Sequence, residues 1–335
     1  MNKTLLIMST HFVDEAIISE YKKMRNTPNV DAILAIDNNA FKYDFKERIE
    51  NKIFFGVSVK CFFFDSKLHD EMDLPYFSHT GEKTFAKVMW YNGDYRFYYV
   101  RKFFLDYDYY WQIEYDVFCN AKTYEGFLKK FSDNRADLLI KGCNETTKDG
   151  TWPWSRGVDW IYSDKKIYAG FFPVERLSAR AIDFLYKRRL EHAKIFTEDN
   201  GKNKWIHCEA YTPTELMNNG FSCENLDEPN VHLKNFYLND DRFFITPDDK
   251  LYHPIKSAKK ELDKLNTQVN DLNLLSRKIF LTALIKFLDA FNVKGLPHYI
   301  APDFGYLAIP VAMGGGGNLN CIIWHKFLER TLIYR

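Results

Sequence analysis

The chain has 335 residues, a net charge of +1, 46% hydrophobic and 17% aromatic residues. That length supports a large core with a smaller appendage, and the near-neutral charge excludes a field that would make nucleic acid or an anionic membrane the main partner. The six cysteines (Cys61, Cys119, Cys143, Cys208, Cys223 and Cys321) lack CxxC spacing and read as reduced core thiols.

The opening MNKTLLIMSTHFVDE has too short an apolar run before its charges for a secretory signal. No stretch reaches the ~18–20 apolar residues of a membrane span. A cytoplasmic, soluble protein is expected. Residues 4–9 (TLLIMS) read as a buried parallel strand, 13–25 as a helix with apolar residues at helical spacing, and 31–37 (DAILAID) as a second buried strand. Strand, helix and strand in this order open a doubly wound α/β unit, whose ligands lie at the carboxyl ends of the strands. Ser9, Thr10, His11 and Asp37 therefore fall on the ligand side. Asp37 suits a ribose hydroxyl or a base N–H, and equally a helix cap.

Residues 53–64 predict a third strand and 65–84 an irregular segment. Asn92-Gly93 reads as a turn and Asp94 as the cap of an aromatic helix, with Asn92, Asp94 and Arg96 at its entrance, where a nucleotide meets backbone N–H groups and a guanidinium. The helix feeds residues 109–119 (YYWQIEYDVFC), a strand-forming run broken by Glu114 and Asp116. In an extended chain residues i and i+2 share a face, so the two carboxylates converge near the end of a buried strand. Buried carboxylates need a cation or many donors, and a hard divalent metal shared with phosphates is the natural candidate.

Further on, 123–131 predicts a helix, 136–141 a strand, 166–172 a strand and 174–191 an amphipathic helix whose arginines suit a solvated face. Between them, 144–160 is a loop with three tryptophans, where Trp152, Trp154 and Arg156 suit stacking on a sugar ring as well as packing. Glu209 lies in an aromatic segment at the start of a helix, a setting that raises a carboxyl pKa towards that of a general base. A helix-start acid favoured by the dipole is the plainer reading. Residues 251–256 (LYHPIK) place His253 before a proline and Lys256 three residues on.

Taken together these pieces resemble a nucleotide-sugar-dependent glycosyltransferase of the GT-A fold, of bacterial surface-glycan type. Glu114-Tyr115-Asp116 is similar to its DxD motif in ExD form, and His253-Pro254 with Lys256 resembles its closing HPxK stretch. The resemblance implies a Rossmann-like α/β fold with a mostly parallel central sheet flanked by helices, plus a C-terminal helical appendage. It implies a catalytic domain over 1–256, with 1–120 the nucleotide-sugar half and 121–256 the acceptor half, and an extension over 257–335. The activity implied is hexosyl transfer in polysaccharide biosynthesis, from a UDP-sugar to a glycan or lipid-linked acceptor.

In that scheme Asp116 and His253 hold Mn²⁺ (or Mg²⁺), Glu114 either joins them on the metal or meets the ribose of the nucleotide sugar and reaches the metal through water, and Lys256 meets the diphosphate. Ser9, Thr10, His11, Asp37, Asn92, Asp94 and Arg96 line the nucleotide sugar. Trp152, Trp154 and Arg156 meet the acceptor. Glu209 is the base of an inverting displacement, with Asp159 in reserve. The same acids also suit a nucleotidyltransferase or phosphohydrolase, and the tryptophans a non-catalytic carbohydrate-binding protein. Residues 257–291 read as a long amphipathic helix or helical pair, for packing, for a dimer or for docking at the inner face of a membrane. The four-glycine run at 314–317 lacks a phosphate-loop pattern and reads as a turn.

Overall fold

A computed structural model describes residues 3–78, 84–146, 152–197, 202–226, 231–238 and 248–255. Lys256, the helix expected over 257–291, the extension to 335 and the glycine run lie outside the described residues.

The two early apolar runs form β1 (Thr4–Thr10) and β2 (Asp31–Asp37), parallel and joined through α1 (Glu15–Arg25). Asp14 caps α1 by accepting from the Ile17 N–H at 3.0 Å. After α2 (Asn38–Phe41), the segment expected to give one strand instead gives a hairpin of β3 (Ile49–Phe54) and β4 (Val57–Phe64). Phe55 and Gly56 both have positive φ (49° and 72°), as the tight turns that match strand twist require. A phenylalanine in that role hides the turn from composition. Asp65 then caps α3 (Ser66–Glu71), a helix inside the stretch expected to be irregular.

Next come α4 (Phe85–Tyr91), the Asn92-Gly93 break and α5 (Tyr95–Phe103), which leads into β5 (Tyr109–Glu114). β5 stops at Glu114. The chain turns there, with the Val117 N–H bonded to the Glu114 carbonyl at 3.0 Å, before β6 (Phe118–Cys119). The expected single strand over 109–119 is thus two, and they belong to different sheets.

The remaining elements are α6 (Glu125–Lys129), β7 (Leu138–Thr146), α7 (Asp159–Tyr162), β8 (Ile167–Ser178), α8 (Ala179–Ile195), α9 (Cys208–Asn218), β9 (Cys223–Asn225), β10 (Val231–Leu238) and β11 (Leu251–Ile255). α8 begins later than its periodicity suggested, because residues 174–178 pair with β5. Two of its expected surface arginines are buried: Arg176 lies in β8 with its guanidinium 4.3 Å from the Tyr109 ring centre, and Arg189 is wholly enclosed.

The eight-stranded sheet runs β3-β4-β2-β1-β5-β8-β7-β9, and a three-stranded sheet runs β10-β11-β6. In the larger sheet β4-β2, β2-β1, β1-β5 and β7-β9 are parallel, while β3-β4, β5-β8 and β8-β7 are antiparallel. The fold is therefore α/β with a mixed, mostly parallel sheet. Since β5 pairs with β8, the stretches on either side of residue 120 share one sheet.

Alternation along the strands divides the core in two. Leu5, Ile7, Ile33 and Phe62 face one apolar layer with α5, α8 and α9; Leu6, Met8, Leu34 and Phe63 face the other with α1. The five cysteines among the described residues are free thiols. Among those residues no helix is long and apolar enough to cross a membrane.

Candidate functional site

The parallel strands β1, β2 and β5 end on one edge of the sheet. That edge brings together Ser9 and Thr10 from β1, Asp37 from β2 and Glu114 from β5, with Ser9 directly beside Glu114 in the strand register. Asp116 follows in the turn after β5. The convergence of Glu114 and Asp116 comes from this turn, and not from alternation along one strand.

His253 arrives by a separate route. β11 pairs antiparallel with β6 (Leu251 with Cys119, Tyr252 with Phe118), and the Ile255 N–H donates to the Asp116 carbonyl at 2.8 Å. Asn120 and Asp248 fasten the segment further, the Asn120 amide donating to the Asp248 carboxylate at 3.0 Å. From the other side the buried Glu20 accepts from the Cys119 N–H at 2.7 Å and from the Tyr124 hydroxyl at 2.9 Å, while Lys23 donates to the Cys119 carbonyl at 2.7 Å. Phe171 meets the His253 ring edge-on at 5.5 Å.

The result is a triad of Glu114, Asp116 and His253 whose ligand atoms lie within 4.8 Å of one another. His253 Nε2 is 3.4 Å from Asp116 Oδ1 and 4.0 Å from Glu114 Oε2. Asp116 Oδ1 is buried and accepts no hydrogen bond, in spite of the nearby imidazole. A buried carboxylate oxygen left without a donor is costly, and a cation relieves that cost. Ligand atoms around one hard divalent ion stand roughly 3–4.5 Å apart, so small side-chain rotations suffice. Two carboxylates and an imidazole are a donor set that fits such an ion.

Arg96 lies beside the triad, its Nη1 3.4 Å from Glu114 Oε1. Burial raises the Glu114 carboxyl above its ordinary value; Arg96 and His253 oppose the rise, and the charge of Asp116 adds to it. Asp37 is buried and its pKa is also raised by burial, while the Asn39 and Ala40 amides and the charge of Arg96 pull it down. Its carboxylate accepts from the Asn39 N–H at 3.0 Å, so Asp37 serves as the cap of α2, the plainer of its two roles. Ser9 Oγ is buried with no hydrogen-bond partner, whereas the Thr10 hydroxyl donates to the Phe12 carbonyl at 2.6 Å. His11 is exposed and packs edge-on to Tyr115 at 5.2 Å.

Two residues expected to meet a nucleotide are committed elsewhere. Asp94 is fully buried and holds Arg189 through two bonds of 2.8 and 2.9 Å, with the Tyr98 hydroxyl at 2.6 Å. Asn92 is equally buried: its amide donates to the Phe77 and Val88 carbonyls, and its oxygen accepts from the Trp205 indole at 2.8 Å. Both are structural, because closing the core leaves them no open face. Asp94 stands at the cap position of α5 but makes no side-chain cap bond.

Glu209 falls in the first turn of α9, which His207 caps by accepting from the Glu209 N–H at 3.2 Å. It is 9% exposed. Burial pushes its pKa up to about 8; the Phe172 N–H and the Trp154 indole N–H, both hydrogen-bonded to it, oppose the rise, and the charge of Glu114 adds to it. Trp154 also stacks on His207, ring centres 4.1 Å apart and planes within 8°. Trp152 is half-buried with its indole nitrogen unpartnered, and Trp160 donates to the Lys204 carbonyl at 2.9 Å. Arg156 and Asp159 are exposed on the segment between.

Sequence reasoning missed a buried polar pair at the centre of the sheet. Gln112 on β5 donates to Glu175 Oε1 on β8 at 3.0 Å, and both are wholly buried. Burial drives the Glu175 pKa well upward, with Glu114, Asp94 and Glu209 adding to the shift and Arg96 opposing it. Glu175 was hidden because residues 174–191 carry helical periodicity. No protein-family model matches the chain and no curated protein matches it, so its function has to be argued from the chemistry of these residues.

Proposed function

We propose that the chain is a metal-dependent glycosyltransferase of the GT-A fold, moving a sugar from a nucleotide diphosphate to an acceptor hydroxyl with inversion. The observation that carries this reading is the triad of Glu114, Asp116 and His253 at the carboxyl edge of the sheet, with Asp116 Oδ1 buried and accepting no hydrogen bond. These three residues would hold Mn²⁺ or Mg²⁺, and the imidazole favours Mn²⁺. When bound, the ion neutralises the diphosphate as it becomes a leaving group.

The chain's own groups supply the rest. Arg96 steadies the Glu114 carboxylate and adds positive charge at the edge where phosphates would lie. Ser9 Oγ offers a free hydroxyl there. Glu209, its pKa pushed up to about 8 by burial and its carboxyl held by the Phe172 and Trp154 N–H groups, is suited to take the acceptor proton.

The test is a thermal-shift panel of nucleotide sugars with and without Mn²⁺. The expected outcome is one donor that stabilises the protein only with the metal, and slow hydrolysis of that donor to a nucleoside diphosphate. Asp116→Ala is expected to lose the metal-dependent shift and to lower hydrolysis at least about 100-fold. Full activity in Asp116→Ala sinks the proposal. Release of pyrophosphate or inorganic phosphate points to attack on phosphorus instead.

A further inference from the structure

Trp90 lies in the last turn of α4 with 59% of its surface exposed, although rings surround it on one side. Its ring centre is 5.8 Å from that of Trp154 and 5.6 Å from that of His207, both edge-on. Tyr91 packs edge-on against the same two rings at 5.9 and 4.7 Å. Trp154 is hydrogen-bonded to the Glu209 carboxyl, and His207 accepts from the Glu209 amide. A continuous set of rings thus runs from the buried carboxyl to an indole open to solvent.

Trp90 is one of several large hydrophobics left open among the described residues, with Ile53, Phe55, Leu105 and Ile195, and what sets it apart is that it borders this cluster of rings. A ligand that covers it and also reaches the carboxyl beyond the next ring has to be apolar on one face and carry hydroxyls at its rim. A pyranose has both: a patch of C–H bonds that packs on an indole, and hydroxyls that reach a carboxylate. An alkyl chain would satisfy the indole but has nothing to offer Glu209.

We infer that the acceptor is a carbohydrate and that one of its sugar rings packs on the exposed face of Trp90, with a hydroxyl directed towards Glu209. The term acceptor rests on the proposed transfer reaction; the binding of sugar at Trp90 stands apart from it.

Titration of the full chain with lactose, cellobiose, chitobiose and maltotriose, in the absence of nucleotide and metal, tests this by calorimetry and indole fluorescence. At least one sugar is expected to bind saturably. Trp90→Ala weakens that binding about tenfold or more, and Trp90→Phe, which keeps a ring, stays within about threefold of the unaltered protein. Circular dichroism melts of both variants separate lost binding from lost folding, and if the alanine variant does not fold, Trp90→Gln, expected to weaken binding to the same extent, carries the test. Equal affinity in Trp90→Ala, binding by none of the sugars, or Trp90-dependent binding of neutral phospholipid vesicles without a response to sugar overturns the inference. The nucleotide-sugar panel reads the transfer proposal separately, so either result can fail without the other.

Discussion

At the scale of single residues, the raised pKa of Glu209 ties the proposed activity and the stability of the fold to pH. A base with a pKa of about 8 is mostly protonated at neutral pH, so donor hydrolysis or transfer is expected to rise with pH and level off above about 8. Glu209→Gln should flatten that limb and reduce turnover by roughly 100-fold or more, as measured by initial rates across the range. The same shift makes a prediction for stability. The folded pKa lies above the ordinary 4.5, so the contribution of the protonated form is full below about 4.5 and is lost as pH rises through about 8. The slope is at most about 1.4 kcal/mol per pH unit in that window. Denaturant unfolding near pH 5 and pH 8 should show Glu209→Gln gaining on the unaltered protein as pH rises. A constant difference between the two would argue against a raised pKa.

Helices and strands explain why some expected ligand residues turned out to be structural. Asp94 on the entrance to α5 and Arg189 on α8 form an ion pair with no solvent exposure at either side chain. Arg189 also donates to the Ile206 carbonyl at 2.8 Å and lies over the Tyr211 ring at 3.5 Å. Removing one partner strands the other, so Arg189→Met is expected to cost about 3–5 kcal/mol, and the double change with Asp94→Leu to recover part of it. Chemical denaturation measures both. Buried β1 and β2 were legible because their apolar runs are continuous, and α1 and α9 because their spacing and neighbouring residues agree. The turn at Tyr115-Asp116 was not legible, since aromatic and β-branched residues continue through it. Nor was Glu175, whose strand follows from pairing with β5. For Glu114, Asp116 and His253 the residue types were readable, but their meeting depends on the distant pairing of β6 with β11.

For the whole molecule, several buried acids act in the same direction. Burial raises Glu20, Asp37, Glu114, Glu175 and Glu209 together. Each contributes most when protonated, so their combined effect favours the fold at lower pH and weakens as pH rises. Mn²⁺ at about 100 times its dissociation constant is expected to add roughly 2.7 kcal/mol, and a chelator to remove it, as followed by thermal unfolding. The pairing of β11 with β6 gives this linkage a particular location. His253 is supplied by a strand made long after the two carboxylates, so if the triad holds the proposed ion, its occupancy and the docking of that strand strengthen one another by the same free energy. The amides of Ile255 and Asn120, which donate to the Asp116 and Lys250 carbonyls across that junction, therefore become reporters of occupancy. Their hydrogen exchange should slow when Mn²⁺ is added, while amides of β1 and β2 keep their rates. The segment would then be a clasp that cargo and closure hold shut jointly, and a loosened clasp would reveal itself first as weakened metal affinity.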